Sequence, residues 1–415
     1  MVWLRRFSQN VFVFVSAVLL LWLSFFGGGV QIRHVPLLLL GVATALVLSL
    51  IRHPLRLRSL IACGTDKLLW LYIGVLTCNI LIAPERMVAL RWYLYYVPPI
   101  PLLYFLFKNE FAPSSRKEPL LMLISVSAAL VALLAIYEWI FRHNPVYEYL
   151  VHNEYYRQYL GMHRAMSTQF APANLAAYLV MCFPLSLYLA LDGSSRKIKA
   201  CGGFFGLIIF FGVISTLSRA AVFALFLSSA VLLGSRGRRV IIIVGGLVIL
   251  VTLFSLLPSR YGFYRLSLRG FIQRSPYSAR LQRAEVVKAM VEKHPFLGVG
   301  GGYYKEVYPQ YAIAVPYNDR TPDNSFLIAL AETGWIGFAS FAAFLVSLFL
   351  KARRAFFKIP QASAHILCFV SCLVALLPMM FVYDALYWTV PLFLFWSWCG
   401  ALASFDNIRL SRFAA

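Results

Sequence analysis

The sequence predicts an all-α, polytopic membrane protein of about 12 transmembrane helices with a large, partly helical loop on one side. Its 415 residues are 61% hydrophobic and only 13% charged, whereas soluble domains are nearer half apolar and a quarter charged. Apolar runs of 17 or more residues recur along the chain, and each can cross a hydrocarbon core of ~30 Å. We therefore predict a single membrane domain over residues 1–415.

The predicted spans follow these apolar runs. The first is interpreted as a retained helix rather than a signal peptide, because it lacks a small-residue cleavage site and many further spans follow it. The seven cysteines lie in or at the ends of apolar runs, so no disulfide framework or metal site is indicated. In chain order, the spans are predicted at residues 11–29, 36–51, 68–83, 92–107, 119–141, 171–191, 201–217, 220–234, 239–257, 324–350, 364–382 and 386–405.

The basic residues predict how these spans are oriented. With the N-terminus inside, the inner segments are short and hold 21 of the 38 basic residues but only five of the 16 acidic ones. This is the asymmetry that the positive-inside rule requires, so both termini are predicted to be cytoplasmic. Most of the net charge of +22 follows from this topology and does not indicate nucleic-acid binding.

A cationic loop on the opposite side is not explained by that rule. Residues 258–322 contain ten basic residues, seven of them arginine, and four acidic ones. One interpretation is a solvated loop that touches anionic lipid headgroups. The other is an anion site for phosphate, since the planar arginine fork suits phosphate oxygens bidentately.

A second loop on the same side, residues 142–170, is rich in Tyr, His and Arg. Its aromatic rings suit sugar stacking or the headgroup belt of a membrane equally well. The histidines His143, His152 and His163 match no compact ligand spacing, so we expect no metal there.

The large loop is predicted to contain an amphipathic helix at Ser278–Lys293, which lies against the membrane surface or caps the bundle. The pair His294-Pro295 ends it, and a glycine run beginning at Gly298 follows. That run is either a flexible turn or a segment whose backbone approaches a ligand and supplies N–H donors.

Three polar positions border predicted spans. Asp323 and Asn324 begin the span at 324–350, where either could cap the helix; Asp323 could equally be a carboxylate general base. Arg219 lies between two apolar runs. It is either a snorkelling interfacial arginine or a functional one, because an arginine at that depth is costly unless it is paired or solvated. Asp384 is a candidate partner.

The chain contains the stretches RAMSTQFAPANLAAYL (164–179), STLSRAA (215–221), ARLQRAEVVKAMVEKHPFLGVGGGYY (279–304) and DNSFLIALAETGWIG (323–337). In this order they resemble the O-antigen ligase/polymerase superfamily of bacterial envelope glycosyltransferases. They span the C-terminal two-thirds of the chain, while the N-terminal helices match only in hydropathy. The resemblance implies a GT-C-like fold in the bacterial inner membrane, with the active site facing the periplasm.

The resemblance also implies the chemistry: a metal-independent, inverting glycosyltransferase without a cofactor. The donor would be a glycan linked to undecaprenyl pyrophosphate, and the acceptor a hydroxyl of a glycan or of lipid A-core. Arg219 and Arg280 look like the family arginines that bind the pyrophosphate and stabilise its leaving charge. Membrane lipids are the other expected partners. The following positions within the matching stretches are predicted to bind substrate or to position the loop: Arg164, Asn174, Arg283, His294, Gly298, Gly300, Tyr303 and Asn324.

One departure bears on the acceptor. Where the ligases typically carry a histidine before the asparagine of the last motif, this chain has Asp323, and no other histidine lies between residues 295 and 364. A carboxylate can take a proton from a sugar hydroxyl, so Asp323 is the predicted base. The departure favours a repeat-unit polymerase, or another surface-polysaccharide transferase, over a lipid A-core ligase.

Two other classes of function stay open. A transporter or flippase of an anionic lipid-linked substrate would favour broken helices and polar residues at mid-membrane, often with an internal repeat. The span centres hold few ionisable residues and no convincing repeat is found. A structural partner of a polysaccharide export complex, without catalysis, would tolerate substitution of the arginines.

Overall fold

The computed structural model describes residues 40–47, 63–111, 118–151, 156–234, 277–312 and 321–407, and these residues form helices and their connections. Six of the described helices are long and apolar enough to cross a membrane. The chain is therefore an all-α polytopic membrane protein, as predicted. The spans expected at 11–29 and 239–257 lie outside the described residues, and the total of 12 stays a prediction.

The principal helices are labelled in chain order, after a short helical segment at residues 40–47. They are α1 Gly64–Ile82, α2 Arg86–Tyr96, α3 Pro99–Glu110, α4 Glu118–Phe141, α5 Tyr156–Gly161, α6 Pro172–Asp192, α7 Arg196–Ser215, α8 Arg219–Leu233, α9 Tyr277–Lys293, α10 Tyr304–Tyr311, α11 Ser325–Lys358, α12 Ser363–Val382 and α13 Thr389–Ala403.

Helix α6 is the centre of one half of the bundle. Helices α4, α7, α8 and α12 pack around it, so its side chains are buried on nearly every face. Small residues allow the backbones to approach closely, as is common between membrane helices. A Cβ on Gly212 of α7 would lie 2.5 Å from the Cβ of Ala132 on α4. Glycine is therefore required for this contact.

The other half of the bundle pairs α1 with α11 and α3 with α13. A side chain at Gly400 of α13 would overlap the carbonyl of Tyr104 on α3, so this pair also depends on a small residue. Helix α12 contacts α6 and α8 on one side and α11 and α13 on the other. It therefore joins the two halves through a continuous hydrophobic core.

The prediction of one continuous span at 92–107 is wrong, because two helices occupy that region. Helix α2 ends at Tyr96 and α3 begins at Pro99. Pro98 and Pro99 lack backbone N–H groups, so neither can donate a hydrogen bond to the last turn of α2. Two consecutive prolines therefore break the helix.

Helix α11 is broken as well. Gly334 has a φ of 62°, in the left-handed region that favours glycine. The N–H of Trp335 donates to the carbonyl of Pro295 at 2.8 Å, and that of Ile336 to Phe296 at 3.1 Å. These two N–H groups therefore do not bond to carbonyls of α11. They bond instead to the segment that follows α9. We call residues 325–333 the upper segment of α11, and the end of the bundle that carries it and α9 the loop end.

A buried ion pair joins α1 to α3. The Lys108 ammonium lies 2.7 and 2.6 Å from the two carboxylate oxygens of Asp66, and the Tyr104 hydroxyl donates to the same carboxylate at 2.9 Å. The Lys108 and Asp66 side chains are 4% and 0% exposed. Because a buried charge without a counter-charge is costly, each residue requires the other.

We predict that Asp66→Ala destabilises the protein by about 3–5 kcal/mol, because it leaves the Lys108 charge buried and unpaired. Thermal unfolding in detergent measures the effect. The double variant Asp66→Leu/Lys108→Met removes both charges and should recover most of the lost stability. An unchanged melting temperature in Asp66→Ala would contradict this account of the pair.

Candidate active site

The predicted helix in the large loop is confirmed, as α9 runs from Tyr277 to Lys293. Its apolar face holds Val286, Val287, Met290 and Val291, which pack with residues of α10 and with Ala331 of α11 in a small second core. This face is buried against protein, so α9 caps the bundle at the loop end.

The glycine turn after α9 docks on the break in α11. The N–H of Gly298 donates to the carbonyl of His294 at 3.1 Å, while those of Val299 and Gly300 donate to Ala331 at 2.9 Å and Glu332 at 3.1 Å. A side chain at Gly298, where φ is 71°, would overlap the Ala331 carbonyl. These contacts give the turn a positioning role. Direct substrate binding by Gly298 or Gly300 stays a prediction.

Two more predicted residues flank this turn. His294 lies at the end of α9, with its Nε2 3.2 Å from the hydroxyl of Tyr311. Tyr303 precedes the first residue of α10 and is buried. Both therefore contribute to the packing of the loop, and their contact with substrate stays a prediction.

An ion pair connects the loop to the bundle: the Arg283 guanidinium of α9 donates to the carboxylate of Asp323, just before α11. The Arg283 side chain is 5% exposed and that of Asp323 is 32% exposed, so the carboxylate is the accessible member. The Thr321 hydroxyl lies 3.4 Å from the other carboxylate oxygen. Asp323 has a φ of 47°, a conformation that Asp and Asn tolerate better than most residues.

Asn324, and not Asp323, caps α11. Its side-chain oxygen accepts from the N–H groups of Phe326 at 2.9 Å and Leu327 at 3.0 Å, the pattern of a helix N-cap. Its amide nitrogen donates to the carbonyl of Phe381 at 3.1 Å. Because Asn324 satisfies these first N–H groups, the carboxylate of Asp323 is not needed as the cap.

The connection between α12 and α13 holds the first turn of α11 in place. Ser325 donates to the carbonyl of Tyr383 at 3.1 Å and accepts from the N–H of Leu386 at 3.3 Å. Arg280 of α9 has its Nη2 3.5 Å from the carbonyl of Val382. Residues of α9, the first turn of α11, the end of α12 and the connection after it therefore meet at one place.

Arginines and carboxylates interact where α9, the start of α11 and the end of α12 meet. Burial lowers the pKa of the Arg280 guanidinium, Asp323 opposes this shift, and the positive charges of Arg283 and Arg219 add to it. Burial also raises the pKa of Asp384, and the negative charge of Asp323 adds to this shift. The hydrogen bond that Asp384 accepts from the Trp388 indole N–H at 3.2 Å opposes it. Three arginines and two carboxylates thus share one electrostatic environment.

Arg219 is positioned by the short connection between α7 and α8. It is the first residue of α8, and the Ser218 hydroxyl caps that helix by accepting from the N–H of Ala221 at 3.4 Å. The neighbouring loop is bonded to this connection, because Arg164 Nε donates to the carbonyl of Thr216 at 3.0 Å. Arg164 is thereby bonded to a residue three positions before Arg219, so the two predicted residues lie on joined segments. Pairing of Arg219 with Asp384 stays a prediction.

Asn174, predicted to bind substrate, lies in the first turn of α6 and is fully buried. Among the residues that the structure describes, neither its amide nitrogen nor its oxygen has a hydrogen-bonding partner.

The same end of the bundle carries an aromatic stack, in which the Trp388 ring lies 5.7 Å from that of Phe170 and 6.1 Å from that of Tyr383.

Two buried glutamates were not singled out from the sequence. The Glu138 carboxylate of α4 accepts from the N–H groups of Met166 at 3.1 Å and Ser167 at 2.6 Å, and so fixes the loop that carries Arg164. A lone carboxylate inside an apolar span is the sequence signal that could have identified it.

The second, Glu332, precedes the break in α11. Its carboxylate accepts from the Tyr387 hydroxyl at 2.7 Å and from the N–H of Tyr304 at 3.4 Å. Its backbone carbonyl accepts from the Asn79 side chain of α1 at 3.1 Å. Glu332 therefore connects α1, α10 and the connection before α13 to the upper segment of α11.

Together these features define a polytopic membrane protein with a cationic, carboxylate-bearing site at one end of its helix bundle. Residues 204–342 match the family model described as O-antigen ligase (Wzy_C). The match confirms the resemblance to the O-antigen ligase/polymerase superfamily and supports a glycosyltransferase-like role. It covers about a third of the chain and includes Arg219, Arg280, Arg283 and Asp323.

A comparison with curated proteins found no match to this chain. That Asp323 stands where the ligases carry a histidine stays a prediction.

We predict that Glu138→Ala loosens the loop at residues 163–170, because the N–H groups of Met166 and Ser167 lose their acceptor. The cost is roughly 1–3 kcal/mol for each N–H left unpaired. Hydrogen exchange followed by mass spectrometry should show faster exchange in this loop, while Glu148→Ala, at an exposed carboxylate that contacts His143, leaves it unchanged. Equal exchange rates in the wild type and Glu138→Ala would rule out the positioning role.

Proposed function

We propose that the protein transfers a glycan from an undecaprenyl-pyrophosphate donor to a hydroxyl acceptor during surface-polysaccharide assembly. The observation that carries the proposal is the grouping of Arg219, Arg280 and Arg283 with Asp323 at the loop end. This grouping lies within the stretch that matches the O-antigen ligase family. We further propose that the bundle spans the bacterial inner membrane with both termini in the cytoplasm and the loop end in the periplasm.

The arginines suit the leaving group of such a donor. A pyrophosphate carries negative charge before transfer and gains more as its bond to the sugar breaks, so cations stabilise it. Arg280 is half-buried and interacts electrostatically with the positive charges of Arg219 and Arg283. Bringing like charges together is unfavourable, and an anionic ligand relieves that repulsion. We assign Arg219 and Arg280 to the pyrophosphate.

Asp323 is suited to act as the base for the acceptor hydroxyl. It is the accessible member of the ion pair, while Asn324 takes the capping role that would otherwise occupy its carboxylate. Arg283 holds the carboxylate in one orientation, which is a requirement for a general base. We assign Asp323 as the group that accepts the proton of the acceptor hydroxyl.

The proposed step is an inverting displacement. The acceptor oxygen attacks the anomeric carbon of the donor sugar and forms the new glycosidic bond. The bond between that carbon and the phosphate oxygen breaks, and its electron pair leaves with undecaprenyl pyrophosphate, whose charge Arg219 and Arg280 stabilise. The hydroxyl proton passes to Asp323 and then to water. The leaving group departs as an anion, so the step requires no proton donor and no metal ion.

The proposed base also bears on the choice of acceptor. A carboxylate in place of the ligases' histidine favours a repeat-unit polymerase, in which the acceptor is a hydroxyl of another glycan, over transfer to lipid A-core. A transporter of the lipid-linked substrate is the alternative from another class, and the breaks in α11 and between α2 and α3 are of the kind that transporters use. A transfer assay separates the two, since transport leaves the covalent structure of the lipid unchanged.

We predict that Arg219→Ala and Arg280→Ala each reduce transfer by about 100-fold or more, which corresponds to about 2.7 kcal/mol of lost stabilisation of the leaving charge. The assay uses purified protein and a lipid-linked donor, with product length read on a gel. Lys288→Ala is the matched control, because Lys288 is an exposed cation of the same loop that pairs with Glu292. Normal transfer by both arginine variants would refute the mechanism.

We predict that Asp323→Asn abolishes turnover and leaves donor binding intact. Asparagine tolerates the positive φ at this position, its amide oxygen can still accept a hydrogen bond from Arg283, and Asn324 still caps α11. The position of the α9 arginines is therefore preserved while the proton acceptor is lost. Donor affinity and turnover are measured separately, with Thr321→Val as the control for the neighbouring hydroxyl. Full turnover in Asp323→Asn would remove the base role.

A further inference from the structure

The loop that follows α5 is held in a strained conformation by buried side chains of α4 and of the segment after it. His163 and Ser167 have φ values of 56° and 52°, in the left-handed region that residues other than glycine rarely adopt. The N–H of Ser167 donates to Glu138 at 2.6 Å, and its carbonyl accepts from Asn144 at 2.8 Å. Such strain persists only where the surrounding structure enforces it, and it is concentrated at functional sites. We call residues 163–170 the strained loop.

One end of the strained loop is bonded to the connection between α7 and α8. The N–H of Ala165 donates to the carbonyl of Ser215 at 3.0 Å, and Arg164 Nε donates to the carbonyl of Thr216 at 3.0 Å. Arg219 is the third residue after Thr216 and the first residue of α8. The strained loop therefore fixes the backbone from which the Arg219 side chain extends.

The other end of the strained loop contacts the connection between α12 and α13 through the ring of Phe170. The centroid of this ring lies 5.7 Å from that of Trp388, at an interplanar angle of 29°, within the range of stacked aromatic pairs. The backbone N–H of Phe170 donates to the hydroxyl of Tyr147 at 2.7 Å, and Tyr147 is buried. The ring of Phe170 therefore extends from a fixed backbone position.

Trp388 is packed on the end of α12, which also contacts Arg280. The Trp388 ring lies 6.1 Å from that of Tyr383, at an interplanar angle of 13°, and Tyr383 directly follows the last residue of α12, Val382. The carbonyl of Val382 lies 3.5 Å from Nη2 of Arg280. The strained loop thus joins the segment that carries Arg219 to the segment that contacts Arg280.

We infer that Phe170 is a positioning residue for the transfer reaction, which sets the separation between Arg219 and Arg280 through its stack on Trp388. The inference rests on the proposed function, in which these two arginines bind the pyrophosphate. Arg219 and Arg280 interact electrostatically, and like charges repel each other. Holding both beside one ligand therefore calls for rigid supports that are fixed relative to each other. Phe170 itself takes part in no covalent step.

The test compares two substitutions of Phe170 in the full-length protein. Phe170→Leu keeps an apolar side chain but removes the ring, and it should lower the kcat of transfer about 10-fold, because a misplacement of about 1 Å can cost up to ~100-fold. Phe170→Tyr keeps the ring and should retain kcat within about 2-fold of the wild type.

Phe105→Leu is the matched control, because it removes a ring from a similar stack elsewhere in the bundle. The centroids of Trp70 and Phe105 are 5.8 Å apart, at an interplanar angle of 25°. Phe105 lies beside Lys108, which pairs with Asp66, and not beside the candidate site. This variant should leave kcat unchanged.

A double-mutant cycle shows whether Phe170 acts through Arg219. In the Arg219→Ala background, Phe170→Leu should lower kcat by less than about 2-fold, because the residue that it positions is already lost. An equal loss in both backgrounds overturns the inference, since Phe170 would then act on the substrate directly or on stability alone. An unchanged kcat in Phe170→Leu overturns it as well.

Hydrogen exchange separates this inference from the proposed function. Loss of the stack in Phe170→Leu should speed exchange in the strained loop and in the two segments that it joins, residues 215–218 and 383–388. Unchanged exchange in all three segments overturns the positioning role whatever the transfer assay shows. Normal transfer by Arg219→Ala and Arg280→Ala, together with faster exchange in Phe170→Leu, instead refutes the proposed mechanism, while the contact between the two segments stands.

Discussion

The ion pair between Arg283 and Asp323 is the contact on which the candidate site depends. It joins a helix of the large loop to the segment just before α11, 40 positions further along the chain. Arg280 lies one turn from Arg283 on the same helix, and Asn324 and Ser325 follow Asp323 directly. The end of α12 and the connection after it are bonded to both groups. Without this pair, the arginines of α9 would lack a fixed position relative to the carboxylate.

Around this pair, three buried carboxylates follow the rule that polar groups inside a membrane protein must find partners. Glu138 satisfies two backbone N–H groups, Glu332 receives a phenol and a backbone N–H, and Asp66 neutralises Lys108. Each of these carboxylates has a structural use visible in its contacts. Asn174 is different, since neither polar atom of its amide has a partner among the described residues.

Hydropathy predicted most of the described architecture because a membrane span is a local property of sequence: about 20 apolar residues suffice. The helix of the large loop was likewise predicted from its local pattern and its end at His294-Pro295.

The break between α2 and α3 was missed, although the prolines at 98 and 99 are visible in the sequence, because hydropathy does not register a break in an apolar run. The ion pair could not be predicted from the sequence either, since Arg283 and Asp323 meet only through the tertiary contact of α9 with α11. The sequence offered Asp323 and Asn324 as equal candidates for the cap, and only side-chain geometry separated their roles.

The break at Gly334 is bridged by the segment that follows α9. The N–H groups of Trp335 and Ile336, after the break, donate to the carbonyls of Pro295 and Phe296, and the N–H groups of Val299 and Gly300 donate to Ala331 and Glu332 before it. This segment therefore fixes the angle between the two parts of α11, and with it the direction in which the chain reaches Asp323. Arg219 belongs to α8 and is positioned independently of this segment, so the sequence around the glycine turn sets the separation between the proposed phosphate-binding and proton-accepting groups without contacting either ligand.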